Sequence, residues 1–167
     1  MKLTMRLGAD SYDIVIKRGA LGNLGQLTDL ANRKVFIVTD TGVPIQYAET
    51  VKAQCADGSI FVVPQGEASK SIKVYTTVLQ AMLEFGMTRA DLVVAVGGGV
   101  VGDMAGFAAA TYMRGIQFIN CPTTTLSQFD SSIGGKVAVD LGETKNIVGA
   151  FWQPKLVAPC YISFWAD

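Results

Sequence analysis

Asp91–Gly106 reads DLVVAVGGGVVGDMAG: a short apolar run, three consecutive glycines, then a second apolar run that carries one carboxylate, Asp103. The first run is the length of a buried strand, and the second predicts a helix over Val100–Tyr112. Glycines at the end of a strand remove side chains, so the backbone turns sharply and lies against a ligand. The helix that follows directs its free N–H groups and positive dipole end at that ligand, which favours phosphate. A nucleotide or dinucleotide is the natural guest. The same glycines equally allow a strand and a helix to pack closely, and these residues alone leave that alternative open.

Outward from this unit the chain alternates. Met1–Leu7 and Tyr12–Lys17 flank a Gly8–Ala9–Asp10 turn with alternating apolar and polar residues, which predicts an N-terminal β-hairpin. Leucines at 21, 24, 27 and 30 give one helical stripe over Ala20–Ala31, interrupted by glycines. Strands are predicted at Lys34–Thr39, Ile60–Val63, Leu92–Val96 and Ile116–Asn120. Helices are predicted at Ile45–Cys55 and Ser71–Phe85, and from Thr123 or Thr124 to Ile133. This order indicates a single α/β domain with a mainly parallel sheet flanked by helices. Ligands in such sheets sit beyond the carboxyl ends of the strands. Asp40, Pro64–Lys70, Gly97–Gly99 and Pro122–Thr125 each follow a predicted strand, so they share one rim. The apolar tail APCYISFWAD reads as a strand cut off before its domain or partner is complete.

Composition narrows the function. Half of the 167 residues are apolar and 17% are charged, as expected of a well-buried domain. Fourteen basic residues balance fourteen acidic ones, so the basic field of a general nucleic-acid binder is missing. No apolar run reaches the length of a membrane span and the first residues lack a secretory pattern, so a cytoplasmic protein without nucleic-acid or membrane partners is expected. Three scattered cysteines suggest neither a disulfide framework nor a zinc knuckle. The chain has no histidine. Proton transfer within these residues therefore falls to carboxylates, lysines, tyrosines or the substrate.

The remaining motifs each admit two readings. Gly97, Gly99 and Gly102 satisfy GxGxxG, yet they lie outside the first strand–helix unit. No acidic residue follows about 20 positions later to hold a ribose, so a different nucleotide-binding arrangement is needed. Asp103, among apolar neighbours, either faces a polar cavity or caps backbone donors, since an unpaired buried carboxylate is costly. Glu67 and Lys70 are three apart at a helix start, where a local ion pair is the ordinary explanation. Pro122–Lys136, PTTTLSQFDSSIGGK, offers hydroxyls that bind phosphate or cap a helix. Lys136 and Lys145 suit a phosphate or carboxylate ligand.

Together these segments resemble 3-dehydroquinate synthase, a sugar-phosphate cyclase family. The matching residues are GE-x-x-K (Gly66 to Lys70), GGGVVGDMAGFAAATYMRG (Gly97 to Gly115), PTT-x-L-x-Q-x-DSSIGGK (Pro122 to Lys136) and KN-x-x-GAF-x-QP (Lys145 to Pro154). The resemblance implies a Rossmann-like NAD-binding domain over residues 1–167, without the helical domain that supplies the metal ligands. The family binds NAD and a divalent metal, zinc or cobalt. It converts 3-deoxy-D-arabino-heptulosonate 7-phosphate to 3-dehydroquinate and phosphate through transient oxidation of a hydroxyl, elimination, reduction and an aldol closure.

By position, the resemblance assigns Asp40, Glu67, Lys70, Gly97, Gly98, Gly99, Val100, Val101, Gly102, Asp103, Thr123, Thr124, Lys136 and Lys145 to NAD. Asp130, Lys136 and Asn146 fall to the substrate, and no metal ligand falls within the chain. Arg114 matches an arginine that grips the substrate phosphate, in some members from a neighbouring subunit, so a homodimer is implied. A guanidinium suits that task because it offers a phosphate two parallel hydrogen bonds. Asp140–Thr144 departs from the family's Asn-His-Pro-x-Gly and adds negative charge beside the expected substrate site. Two alternatives remain: a cyclase for another sugar phosphate, of the 2-deoxy-scyllo-inosose or valiolone synthase type, or a non-catalytic NAD-binding association module. A metal-dependent alcohol dehydrogenase shares the glycine-rich turn but fits DSSIGGK and KN-x-x-GAF less well. In the dehydroquinate synthase reading the fragment is expected to bind NAD without turning over substrate unaided.

Overall fold

The computed structural model describes residues 1–160, so YISFWAD (161–167), most of the apolar tail read above as a strand, lies outside the described residues. A seven-stranded sheet forms the centre. In chain order its strands are β1 (Lys2–Met5), β2 (Tyr12–Val15), β3 (Lys34–Asp40), β4 (Asp57–Val63), β5 (Leu92–Gly97) and β6 (Gln117–Pro122). A separate antiparallel ribbon follows, made of β7 (Lys136–Leu141) and β8 (Thr144–Phe151), before β9 (Leu156–Val157) rejoins the sheet. The spatial order is β1-β2-β9-β6-β5-β3-β4. Within this sheet, among the described residues, only the β1–β2 pair is antiparallel; its other pairs are parallel.

Period-two alternation builds two cores from one strand. In β5, Val93 and Ala95 join a cluster on one face with Phe36, Met82, Met104 and Phe118. Leu92, Val94 and Val96 join Leu24, Ile37, Val51 and Ile119 on the other. A strand buried on both faces reads as the unbroken apolar run seen in the sequence. The first face is covered by α3 (Ile72–Glu84) and α4 (Gly99–Thr111), the second by α1 (Leu24–Leu27) and α2 (Ile45–Lys52). Ser71 caps α3 by accepting the Val74 N–H at 3.3 Å, and Gly86, at φ 72°, closes it.

Three expectations change. The helix foreseen over Ala20–Ala31 shrinks to a single turn, α1, behind a tighter turn at Leu21–Asn23. Leu21, Leu24 and Leu30 are still buried, but Leu27 is 41% exposed and Gly22 and Gly25 sit inside the stretch. Instead of a regular helix from Thr123 or Thr124 to Ile133, a wide π-type turn spans Ser127–Ser131. Thr124 and Ser127 bond each other's hydroxyls at 2.8 Å and compete with the backbone ladder. Finally, residues 136–151, which in sequence show site residues and an apolar run, form the β7–β8 ribbon, whose Val137 and Val139 pack on α4.

Candidate functional site

The chain passes from β3 outward to β4, then returns to place β5 on the other side of β3. Such a switch point opens a crevice at the carboxyl ends of β3 and β5. Asp40 ends β3 and Gly97 ends β5, so the shared rim foreseen in the sequence exists. Asp40 Oδ1 accepts the N–H groups of Gly42 and Val43, at 2.8 and 3.1 Å, and shapes the turn beside the crevice. Thr39 Oγ1 next to it is fully buried and has no hydrogen-bond partner among the described residues.

The glycines have two jobs. At Gly102 a Cβ would stand 3.0 Å from Asn120 Nδ2, and at Gly106 it would stand 2.4 Å from Val137 Cγ1. These two let α4 press against the sheet and the ribbon, as the packing alternative required. Gly98 and Gly99 sit at the start of α4, against Thr124 and Ser131, where a Cβ would approach to 3.2 and 3.1 Å. Thr123 N donates to Gly97 O at 2.9 Å and ties the Pro122–Thr125 segment to this corner. Among the described residues, no side chain accepts a hydrogen bond from the N–H groups of Gly99, Val100 or Val101. The first turn of α4 therefore presents open donors and the positive end of its dipole to the crevice.

Asp103 is the only charged residue of α4 and faces a polar partner, not a backbone cap. Lys70 Nζ donates to its Oδ2 at 2.5 Å, and the two side chains are only 7% and 17% exposed. This replaces the local Glu67–Lys70 pair expected from spacing; Glu67 instead meets Lys145 on the surface at 3.5 Å. Burial pushes the Asp103 carboxyl above its ordinary value, outweighing the hydrogen bond and charge of Lys70 that pull it down.

Asp103 also lines a cavity of about 460 Å³ with Asp130, Ser131, Lys136, Asn146 and Phe151. Four of the expected residues (Asp103, Asp130, Lys136, Asn146) thus converge from α4, the π-type turn and the ribbon. Ser131, absent from the assignment by resemblance, belongs with them: it lines the cavity and stands over Gly99, where a Cβ would come within 3.1 Å of its Oγ. Arg114 does not join them. It follows the far end of α4, a 13-residue helix and so about 20 Å from the glycine corner at 1.5 Å per residue. Met113 and Arg114 both hold left-handed backbone, φ 49° and 67°. They are braced by Trp152, which packs on Gly115 and donates from Nε1 to Ile116 O at 2.9 Å.

Among the described residues no three His, Cys, Asp or Glu side chains come together as a metal site. The residues present therefore do not fit the divalent metal. They do fit a dinucleotide phosphate, given the open amides, the bare glycines and the switch-point crevice. No helix among the described residues is long and apolar enough to cross a membrane.

Residues 60–163 match the model of the 3-dehydroquinate synthase N-terminal family. The chain is 47% identical over 161 residues to the 3-dehydroquinate synthase of Clostridium acetobutylicum, covering 93% of this chain and 45% of that one. It thus spans about half the length of the curated relatives it matches. Its fold superposes with a TM-score of 0.88 on 2-deoxy-scyllo-inosose synthase, solved with carbaglucose-6-phosphate, NAD+ and Co2+, at 28% identity over 96% of this chain and 45% of that one. A TM-score of 0.80 relates it to the 2-epi-5-epi-valiolone synthase of Streptomyces hygroscopicus, solved with NAD+ and Zn2+, at 31% identity over 93% of this chain and 44% of that one.

Proposed function

We propose, from the premise that the chain belongs to the 3-dehydroquinate synthase family, that it is the NAD-binding portion of an enzyme of aromatic amino acid biosynthesis. That enzyme converts 3-deoxy-D-arabino-heptulosonate 7-phosphate to 3-dehydroquinate and phosphate. The observation that carries the reading is the open first turn of α4, set at the switch point on the same helix whose Asp103 lines the cavity.

The amides of Gly99, Val100 and Val101 hold the pyrophosphate, with Gly97 and Gly98 keeping the backbone close enough to it and Gly102 seating α4 on the sheet. Asp40, Thr123 and Thr124 border the nucleotide, and Glu67, Lys70 and Lys145 approach from the opposite loop and the ribbon. NAD, once bound, supplies a hydride acceptor that is restored at the end of the cycle. Lys136 and Asn146 orient the anionic and hydroxyl groups of the sugar phosphate, and Asp130 accepts its hydroxyl hydrogens. The buried Lys70–Asp103 pair fixes the floor of the cleft and keeps water from it. Metal ligands, for zinc or cobalt, would come from outside the described residues. Arg114, too far from its own cleft, serves the site of a second copy in a homodimer. The balanced net charge supports a protein without nucleic-acid partners, and a cytoplasmic location suits this chemistry.

Titration calorimetry of the purified chain with NAD is the direct test. Saturable one-to-one binding is expected, together with no phosphate release from the sugar phosphate in the presence of NAD and zinc. Absence of NAD binding in a folded dimer would overturn the reading and favour an association module. The TM-score of 0.88 to the inosose synthase supports a second reading, a cyclase for another sugar phosphate. Rescue of a dehydroquinate-synthase-deficient bacterium by this chain joined to its helical half would separate the two.

A further inference from the structure

Asp140 stands opposite an irregularity in the ribbon. Pairing runs Val139 against Val148 and resumes at Leu141 against Thr144. One residue of β7 therefore faces the Lys145–Asn146–Ile147 segment of β8. A ladder leaves the amides of such a bulge without regular backbone acceptors. The Asp140 carboxylate supplies one: Asn146 N donates to its Oδ1 at 2.7 Å. Asn146 sits at φ 54°, a left-handed conformation that asparagine tolerates better than most residues.

The main chain of Asp140 is committed as well. Its N–H donates to Lys70 O at 2.8 Å, and it bridges Ser71 in parallel register. One residue is thus tied on one side to the segment whose Lys70 pairs with Asp103. On the other side it holds the bulge whose Asn146 lines the cavity and whose Lys145 reaches Glu67. The negative charge expected to face an anionic substrate is spent on the backbone instead.

We infer that Asp140 is a positioning residue: its carboxylate sets the β8 bulge so that Asn146 lines the cleft and Lys145 meets Glu67, and its amide locks that bulge to the Lys70 segment. The ligand consequence rests on the NAD reading given above; the clamp itself does not. Asparagine at this position retains the acceptor, whereas alanine removes it.

The test compares Asp140→Ala and Asp140→Asn in the chain by amide hydrogen exchange and by calorimetry with NAD. Asp140→Ala is expected to keep its thermal midpoint within a few degrees, to speed exchange at Asn146 and to weaken NAD about tenfold, the scale of one net hydrogen bond. Asp140→Asn should return both readouts to within about threefold of the parent. Unchanged Asn146 exchange in Asp140→Ala, or an Asp140→Asn variant as impaired as it, would overturn the assignment. Should Asp140→Ala fail to fold, Asp140→Ser, one bond too short for the acceptor, carries the same comparison. If the parent chain binds no NAD, the nucleotide reading falls while the exchange measurement still decides the clamp.

Discussion

Lys70 Nζ and Asp103 Oδ2 meet at 2.5 Å across 33 residues of sequence, joining the loop after β4 to the second turn of α4. The two partners do not contribute alike. Lys70 is nearly enclosed, and its removal strands a carboxylate that burial already disfavours. Lys70→Met is therefore expected to lower stability by about 3–5 kcal/mol, as when a buried pair loses one member. Urea unfolding measures it.

Asp103→Asn should behave differently. The folded-state carboxyl lies above its ordinary value of 3.8, so the native chain keeps a proton that the unfolded chain has released. That contribution to stability is complete below the ordinary carboxylate range and is lost as pH rises through the folded value. Asp103→Asn, which leaves the enclosed Lys70 ammonium facing a neutral amide, is accordingly expected to gain stability relative to the parent as pH rises through that window, while its NAD affinity falls. Unfolding curves of both proteins across this range give the answer; a variant that becomes relatively weaker as pH rises contradicts the sign.

Gly106 is where α4 and the ribbon touch, with room for a hydrogen but none for a methyl: a Cβ there would lie 2.4 Å from Val137 Cγ1 and 3.1 Å from the Phe118 ring. Gly106→Ala is expected to cost about 1–3 kcal/mol by overpacking. Adding Val137→Ala should recover part of that loss, which thermal unfolding of the single and double variants reveals.

Arg114 carries a left-handed backbone at some energetic expense. Arg114→Gly removes the steric part, so the chain should be unchanged to about 1 kcal/mol more stable, with NAD binding intact. In the assembled enzyme the same change should abolish phosphate release, and mixing it with a cleft variant such as Lys136→Ala should restore part of it. Activity unaffected by Arg114→Gly would remove this residue from the site.

Much of this architecture is written locally. The run Leu92–Val96 and the glycines after it announce a doubly buried strand and a bare corner, because both signals lie within one short window. The ribbon was hidden for the opposite reason. Lys145 and Asn146 break the apolar pattern of β8, and the partner surface of the ribbon is α4, not the main sheet. Spacing also favoured the neighbours Glu67 and Lys70 as a pair, whereas the fold supplies each with a distant partner, Lys145 and Asp103. Cleft membership of Asp103, Asp130, Lys136 and Asn146 followed from motif order; that of Ser131 and the role of Asp140 required the turn and the bulge to be seen.

The two-residue strand β9 fits between β2 and β6, and donors on either side of it, Lys155 N and Ala158 N, bond Phe118 O and Asn120 O at 2.9 Å. During synthesis, then, the amino-terminal hairpin emerges first and waits for a keystone made more than a hundred residues later. Until Leu156 and Val157 arrive, the facing edges of β2 and β6 stay open to the wrong neighbour, and the nascent chain has its greatest need of a chaperone just before that insertion.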